Sequence, residues 1–212
     1  MALPNIYFVL LLFVADVADF RSIMRWFECV ISGSTALFFL QCMRRWQPRD
    51  LDMYILKQHF LAVIRHIIRF HDTRLEYILG RSGGPYDTGP YGFKGFLRLT
   101  RLQTPYGVIK VMESARNCAL YPISWFWTTL VMNYFDADSW GVAYPVLTLR
   151  SRGLYYGHDI KEKTAQAQEK YITQGYELGE SARQWADLEL SCEPGCMCEE
   201  YLCLSQVSML QS

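Results

Sequence analysis

The sequence predicts a mainly α membrane protein with about two transmembrane helices, basic amphipathic helices between them and a polar C-terminal helix. Three observations lead there. Asn117–Phe135 (NCALYPISWFWTTLVMNYF) carries no charge, and Trp26–Met43 (WFECVISGSTALFFLQCM) carries only Glu28; a helix needs about 20 apolar residues to cross a bilayer. The 212 residues are 51% hydrophobic and 20% charged, a balance that suits a core or a few lipid-facing helices better than a many-span transporter. The net charge of zero conceals a basic stretch over 1–156 (17 Lys+Arg against 11 Asp+Glu) and an acidic one over 157–212 (4 against 10), which suggests two environments. The expected organisation is a membrane-associated helical body over 1–156, with spans at about 26–43 and 117–135, and an extramembrane acidic helical tail over 157–212 with a Cys-rich end.

At the N-terminus, Met1–Ala15 is uncharged and has no basic n-region, so it does not read as a secretory signal. Being too short to span, it reads as an interfacial or partner-buried helix. The first span is flanked by Arg21 and Arg25 before it and by Arg44, Arg45 and Arg49 after it, which could snorkel to head groups. Its small residues Ser32, Gly33, Ser34 and Ala36 would let another helix approach closely. A buried helix of an ordinary core is the competing reading.

Arg44–Arg116 holds 13 Lys+Arg against 6 Asp+Glu. The positive-inside rule therefore puts segment 44–116 on the matrix or cytoplasmic side and both termini on the opposite side. Within it, Leu56, Phe60, Val63, Ile64, Ile67 and Ile78 share one helical face, against Lys57, Arg65, Arg69, Asp72 and Glu76. A shorter amphipathic helix is expected at Phe93–Leu102. Arg44, Arg45, Arg49, Lys94, Arg98, Arg101, Lys110 and Arg116 are the residues expected to meet anionic head groups. Core-facing helices with solvated charges would give the same pattern. Gly80–Gly92 is a turn-rich linker without the lysine or context of a phosphate-binding loop. His59, His66 and His71 are seven and five residues apart, not the i,i+4 of a helical metal pair, so convergence on one ion is not expected.

Before the second span, Thr104-Pro105 reads as a helix start. Pro122 would bend that helix, and the central Trp125 and Trp127 would face protein. Asp136 and Asp138 read as a helix end and turn, and Ser139–Leu149, with Gly141 and Pro145, as a re-entrant, interfacial or loop segment. In the tail, Asp159 and Glu162 resemble a capping box, and Ile160, Thr164, Ala167, Tyr171, Gln174, Leu178, Ala182, Trp185 and Leu188 recur at spacings of three and four. Tyr171, Leu178, Trp185 and Leu188 are the expected partner-docking residues. Cys192, Cys196, Cys198 and Cys203 follow as C-x3-C-x-C-x4-C, unlike familiar zinc or ferredoxin spacings, and are disulfide or metal candidates or free thiols. Cys29, Cys42 and Cys118 look like small core residues.

The basic opening DFRSIMRWFECV, the Arg-studded FLAVIRHIIRF and the late apolar run with Trp140 give an order that resembles the peroxin 11 family over about the first three-quarters of the chain. That resemblance implies membrane remodelling by amphipathic insertion. With no reactive constellation in view, the leading expectation is a non-catalytic accessory subunit of a multi-subunit membrane complex, a respiratory or ATP synthase assembly of the mitochondrial inner membrane. Its partners would be other subunits and anionic lipids, with no nucleic acid. No cofactor is expected beyond a bound phospholipid such as cardiolipin. A haem-, quinone- or lipid-binding membrane enzyme or carrier is the third alternative.

Overall fold

In the computed structural model, residues 5–41, 46–80, 95–155 and 162–188 are described. Val30–Ser32 (β1) leads through Gly33 into Ser34–Leu40 (α3), and Asp50–Ile55 (β2) returns antiparallel to β1. Ahead of them lie Ile6–Leu10 (α1) and Val17–Trp26 (α2). The Asp16 carboxylate caps α2 by accepting from the Asp19 N–H at 2.9 Å. Phe60–Phe70 (α4) is followed by Arg74–Gly80 (β3), Phe96–Gln103 (β4) and Val108–Ser114 (β5). Asn133–Phe135 (β6) and Trp140–Val142 (β7) complete a seven-stranded sheet of order β3-β4-β5-β2-β1-β6-β7. Strands β2 and β5 pair parallel, whereas β1–β2, β1–β6, β3–β4 and β4–β5 pair antiparallel.

The described residues divide into two compact units, one drawn from Met1–Trp125 and Asn133–Trp140, the other from Phe126–Met132 and Gly141–Ser212. In the first, one face of the sheet is core. Thr100, Val111, Met53, Ile31 and Phe135 occupy successive paired positions from β4 to β6 and are fully buried, as are Leu102, Ile109 and Leu51 in the neighbouring row. Cross-strand partners project to the same side, so these rows define one surface. From α4, the side chains of Phe60, Val63, Ile64 and Ile67 are buried, each such burial worth about 1.5–3 kcal/mol.

The second unit contains Pro145–Leu149 (α5), Arg152–Leu154 (β8), Glu162–Thr173 (α6) and Glu177–Gly179 (β9). Strands β8 and β9 pair parallel, and Leu147, Leu154, Ala182 and Leu188 form its core with Trp185 packed against them. Asp187 accepts from Arg150 and Arg152, and the Arg152 guanidinium lies over the Trp185 ring at 5.3 Å.

This mixed α/β architecture corrects the expected fold class. No helix among the described residues is long and apolar enough to cross a membrane. The run at 26–43 is broken at Gly33, whose φ of +72° ends β1 and starts α3. The run at 117–135 becomes two short 3-10 helices, Tyr121–Trp125 and Thr129–Val131, followed by β6. Its lack of charge reflects burial of Ile123, Leu130, Val131 and Phe135 in protein. Without spans, the sidedness assigned to segment 44–116 and to the termini has no basis. The membrane-complex function, its respiratory setting and the membrane enzyme or carrier alternative fall with the spans that motivated them, and the remodelling alternative loses its inserting helix, because the apolar face of α4 is buried in protein.

The amphipathic helix expected across Met53–Leu79 is α4 alone, flanked by β2 and β3; the face carrying Phe60, Val63, Ile64 and Ile67 is real, but a sheet-bearing unit buries it. The helix expected at Phe93–Leu102 is β4 over its described part. Thr104-Pro105 is the β4–β5 turn, in which the Thr104 hydroxyl accepts from the N–H groups of Tyr106 and Gly107. Apolar Val9, Leu10, Phe13 and Val14 near the N-terminus are buried within the protein itself. The long polar C-terminal helix is shorter than expected, since Gly175, at φ +86°, follows α6 and β9 begins at Glu177.

Candidate functional site

On the other face of the large sheet, a buried row of Leu99, Met112, Tyr54 and Val30 borders a polar, partly exposed one. Strand β2 reads Asp50-Leu51-Asp52-Met53-Tyr54-Ile55, so its period of two puts both aspartates opposite the buried Leu51, Met53 and Ile55. Asp52 pairs with Ser32 of β1 and with Lys110 of β5, and Lys110 pairs in turn with Arg101 of β4. The result is a row, Arg101–Lys110–Asp52–Ser32, across the middle of the sheet, with Asp50 one pleat away. Such polar groups on a central strand demand a reason, because this is the position where apolar residues are usually placed.

Three contacts shape the site. Lys110 Nζ donates to Asp50 Oδ2 and lies 3.6 Å from Asp52 Oδ1, with the three side chains between a fifth and a third exposed. Burial alone would lower the Lys110 ammonium, but the Asp52 and Asp50 charges and the hydrogen bond outweigh it and hold its pKa above the usual lysine range. The Thr35 hydroxyl donates to the Asp50 carbonyl at 2.8 Å, tying α3 to the start of β2. At Gly33 the backbone passes so close to Asp52 that a Cβ would stand 2.9 Å from its Oδ2. The buried Tyr54 on the same face has its phenol pushed well up, by burial first and then by Asp52 and Asp50. Chemically, the arrangement offers two same-side carboxylates beside a tight Gly33–Ser34 turn, with Lys110 and Arg101 continuing the row as cations.

The residues expected to meet lipid are distributed differently from a membrane-facing patch. Arg98 pairs with Glu113, Arg101 with Glu76 and Lys110 with the two aspartates. Arg49 sits in the bend entering β2, and Arg116 lies 5.9 Å over the Tyr121 ring. Arg44, Arg45 and Lys94 lie outside the described residues, as do Cys192, Cys196, Cys198 and Cys203. Of the expected docking residues, Tyr171 and Leu188 are buried, Trp185 packs on the second unit's core and Leu178 is partly buried in β9. Sequence reasoning passed over Asp50 and Asp52 and read Gly33 only as a small residue at a helix contact. The available signal was the alternation D-L-D-M-Y-I placed shortly after S-G-S-T, which a membrane reading of the first run concealed.

No family model matches the sequence, and no curated protein matches it significantly. Among solved structures, the chain is similar to one described as a tRNA-processing enzyme in an apo form, with a TM-score of 0.51 at 10% identity. The match covers 77% of this chain and 44% of that one, so this chain corresponds to less than half of that enzyme. At this identity the likeness establishes a shared fold, in agreement with the mixed α/β sheet.

Proposed function

We propose that the Asp50/Asp52 face binds a nucleoside triphosphate with a divalent cation and transfers its nucleotidyl group to an RNA hydroxyl: the hydroxyl oxygen bonds to the α-phosphorus as the bond to the β-phosphate oxygen breaks, pyrophosphate leaves and the hydroxyl proton passes to solvent. The observation that carries this reading is the pair of same-side carboxylates on a central strand with the Gly33–Ser34 turn pressed against one of them. Magnesium-type cations are held by one or two carboxylates together with substrate phosphates, and the donor set here fits that chemistry. When bound, the cation would neutralise phosphate charge as it develops in an in-line displacement. Asp50 and Asp52 anchor and orient. Gly33 allows backbone to approach the phosphates where a side chain would block it, and Lys110 and Arg101 lie along the row to balance a triphosphate's charge. RNA as the acceptor is suggested by the description of the structural neighbour.

This reading departs from the expectation of a non-catalytic protein without nucleic-acid partners. Its test is incubation of the full chain with Mg2+, each α-labelled nucleoside triphosphate in turn and total tRNA or short RNA. Label should pass to RNA with the parent protein and fall to background with Asp52→Asn. Absence of transfer with all four nucleotides would overturn the catalytic reading. The Lys110 contact favours one alternative: a nucleotide-binding protein in which the ammonium stands in for the cation. Nucleotide binding unchanged by EDTA, without transfer, would select it.

A further inference from the structure

We infer that Asp19, His66 and His71 form a site for a single transition-metal dication of the zinc class. The three come from different parts of the first unit: Asp19 from the first turn of α2, His66 from α4, and His71 from the residue that ends α4. Five residues apart on a continuous helix, the two imidazoles would diverge. They converge because His71 is the C-cap, with φ −119° and ψ 26°, where the chain has already left the helix.

Asp19 Oδ2 is 2.7 Å from His66 Nε2 and 3.0 Å from His71 Nε2, and one ligand atom from each residue lies within 4.8 Å of the others. Tetrahedral bonds of about 2.0–2.2 Å put ligand atoms roughly 3.3–3.5 Å apart. Opening the His66 contact by roughly 0.6–0.8 Å and the His71 contact by roughly 0.3–0.5 Å therefore admits an ion.

An independent observation points to a ligand. The His71 side chain is 1% exposed, and its Nε2 has the Asp19 carboxylate at 3.0 Å, off the geometry of a good hydrogen bond, as its polar neighbour. A buried imidazole so poorly matched is costly, and a cation between Nε2 and the carboxylate would be the better partner for both. Phe20 stands edge-on to His71 at 5.4 Å between ring centres, and Phe70 lies 4.6 Å from His66, giving the cluster apolar walls. Two imidazoles and one carboxylate suit zinc and its neighbours, whereas magnesium and calcium favour all-oxygen sets. Three protein ligands leave a fourth position for water or a small anion.

The test uses the full chain with Cys192, Cys196, Cys198 and Cys203 replaced by serine, stripped with EDTA and titrated with Zn2+ by calorimetry and with Co2+ by visible absorption. One equivalent should bind, with four-coordinate cobalt bands, no thiolate charge-transfer band and no displacement by excess Mg2+. His66→Gln and Asp19→Asn, both at partly exposed positions, should each weaken binding by more than the 10–100-fold typical of an outer-shell loss, with the circular dichroism spectrum retained. No stoichiometric binding, displacement by Mg2+, or binding indifferent to both substitutions would overturn the site. The Asp50/Asp52 reading is tested separately, since neither substitution touches those carboxylates.

Discussion

Gly33→Ala probes how the β1–α3 corner builds the candidate site. Gly33 has φ +72° and ψ −143°, close to a region that residues with a Cβ avoid. Holding alanine there costs of order 1–3 kcal/mol. The added methyl also meets Asp52 Oδ2 at 2.9 Å, and that atom is the tip of a short side chain that can rotate away. The stability loss should therefore come mainly from the backbone, while the functional loss comes from the displaced carboxylate. For a chain of this size, 1–3 kcal/mol corresponds to a fall of about 2–12 °C in Tm. In an Asp52→Ala background the steric part vanishes and the backbone part remains, so Gly33→Ala should cost nearly as much stability there as in the parent. Thermal and urea unfolding of the four proteins in the cycle give both numbers. A parent-like Tm for Gly33→Ala would refute the assignment of this corner. So would a cost that disappears with Asp52, because the clash with the carboxylate, not the backbone, would then be its main source.

Other outcomes follow from single contacts. The Glu113 side chain is 2% exposed and paired with Arg98, so Arg98→Met should cost about 3–5 kcal/mol in urea unfolding by leaving a buried carboxylate unpaired, and Glu113→Leu in the same chain should recover much of it. Lys110→Met removes the counter-charge from Asp50 and Asp52; added Mg2+ should then raise Tm more than in the parent, with up to about 2.7 kcal/mol gained at a hundred times the dissociation constant. Because His71 in the folded chain sits below its ordinary pKa, its neutral form favours folding above about pH 6.5 and that contribution is lost as pH falls further; urea midpoints in EDTA from pH 8 to 5 should show the decline, and a flat profile would contradict it. Brief maleimide labelling followed by peptide mapping should mark the exposed Cys118 and spare Cys29, whose thiol is pushed up by burial.

How far the fold could be read beforehand depended on whether a local pattern had one physical cause or two. The apolar stripe Phe60, Val63, Ile64 and Ile67 has helical period in any environment, so α4 was legible, although its covering was not. The charge-free runs were ambiguous: a buried two-sided strand, a short helix and a membrane span all exclude charge. Gly33 and Pro122 are the local signals against long spans, since each marks where a single long helix is least comfortable. The basic residues of β4 and β5 misled for a related reason. Arg98, Arg101 and Lys110 look like a lipid-facing set until Glu113, Glu76, Asp50 and Asp52 are placed beside them by strand pairing, which local spacing does not reveal. Likewise, His66 and His71 meet at Asp19 only through the packing of α2 near the end of α4. By contrast, the turn at Asp136 was local and readable, although it follows β6 and not the expected helix end: its carboxylate accepts from the N–H groups of Asp138 and Ser139.

The most direct measurement of the central claim is calorimetric titration of the full chain with a nonhydrolysable nucleoside triphosphate, in Mg2+ and in EDTA, for the parent and Asp52→Asn. The account predicts binding by the parent that requires Mg2+ and is lost in Asp52→Asn while the circular dichroism spectrum is unchanged. Equal binding by the two proteins, or none by the parent in Mg2+, would contradict a nucleotide site at Asp50 and Asp52.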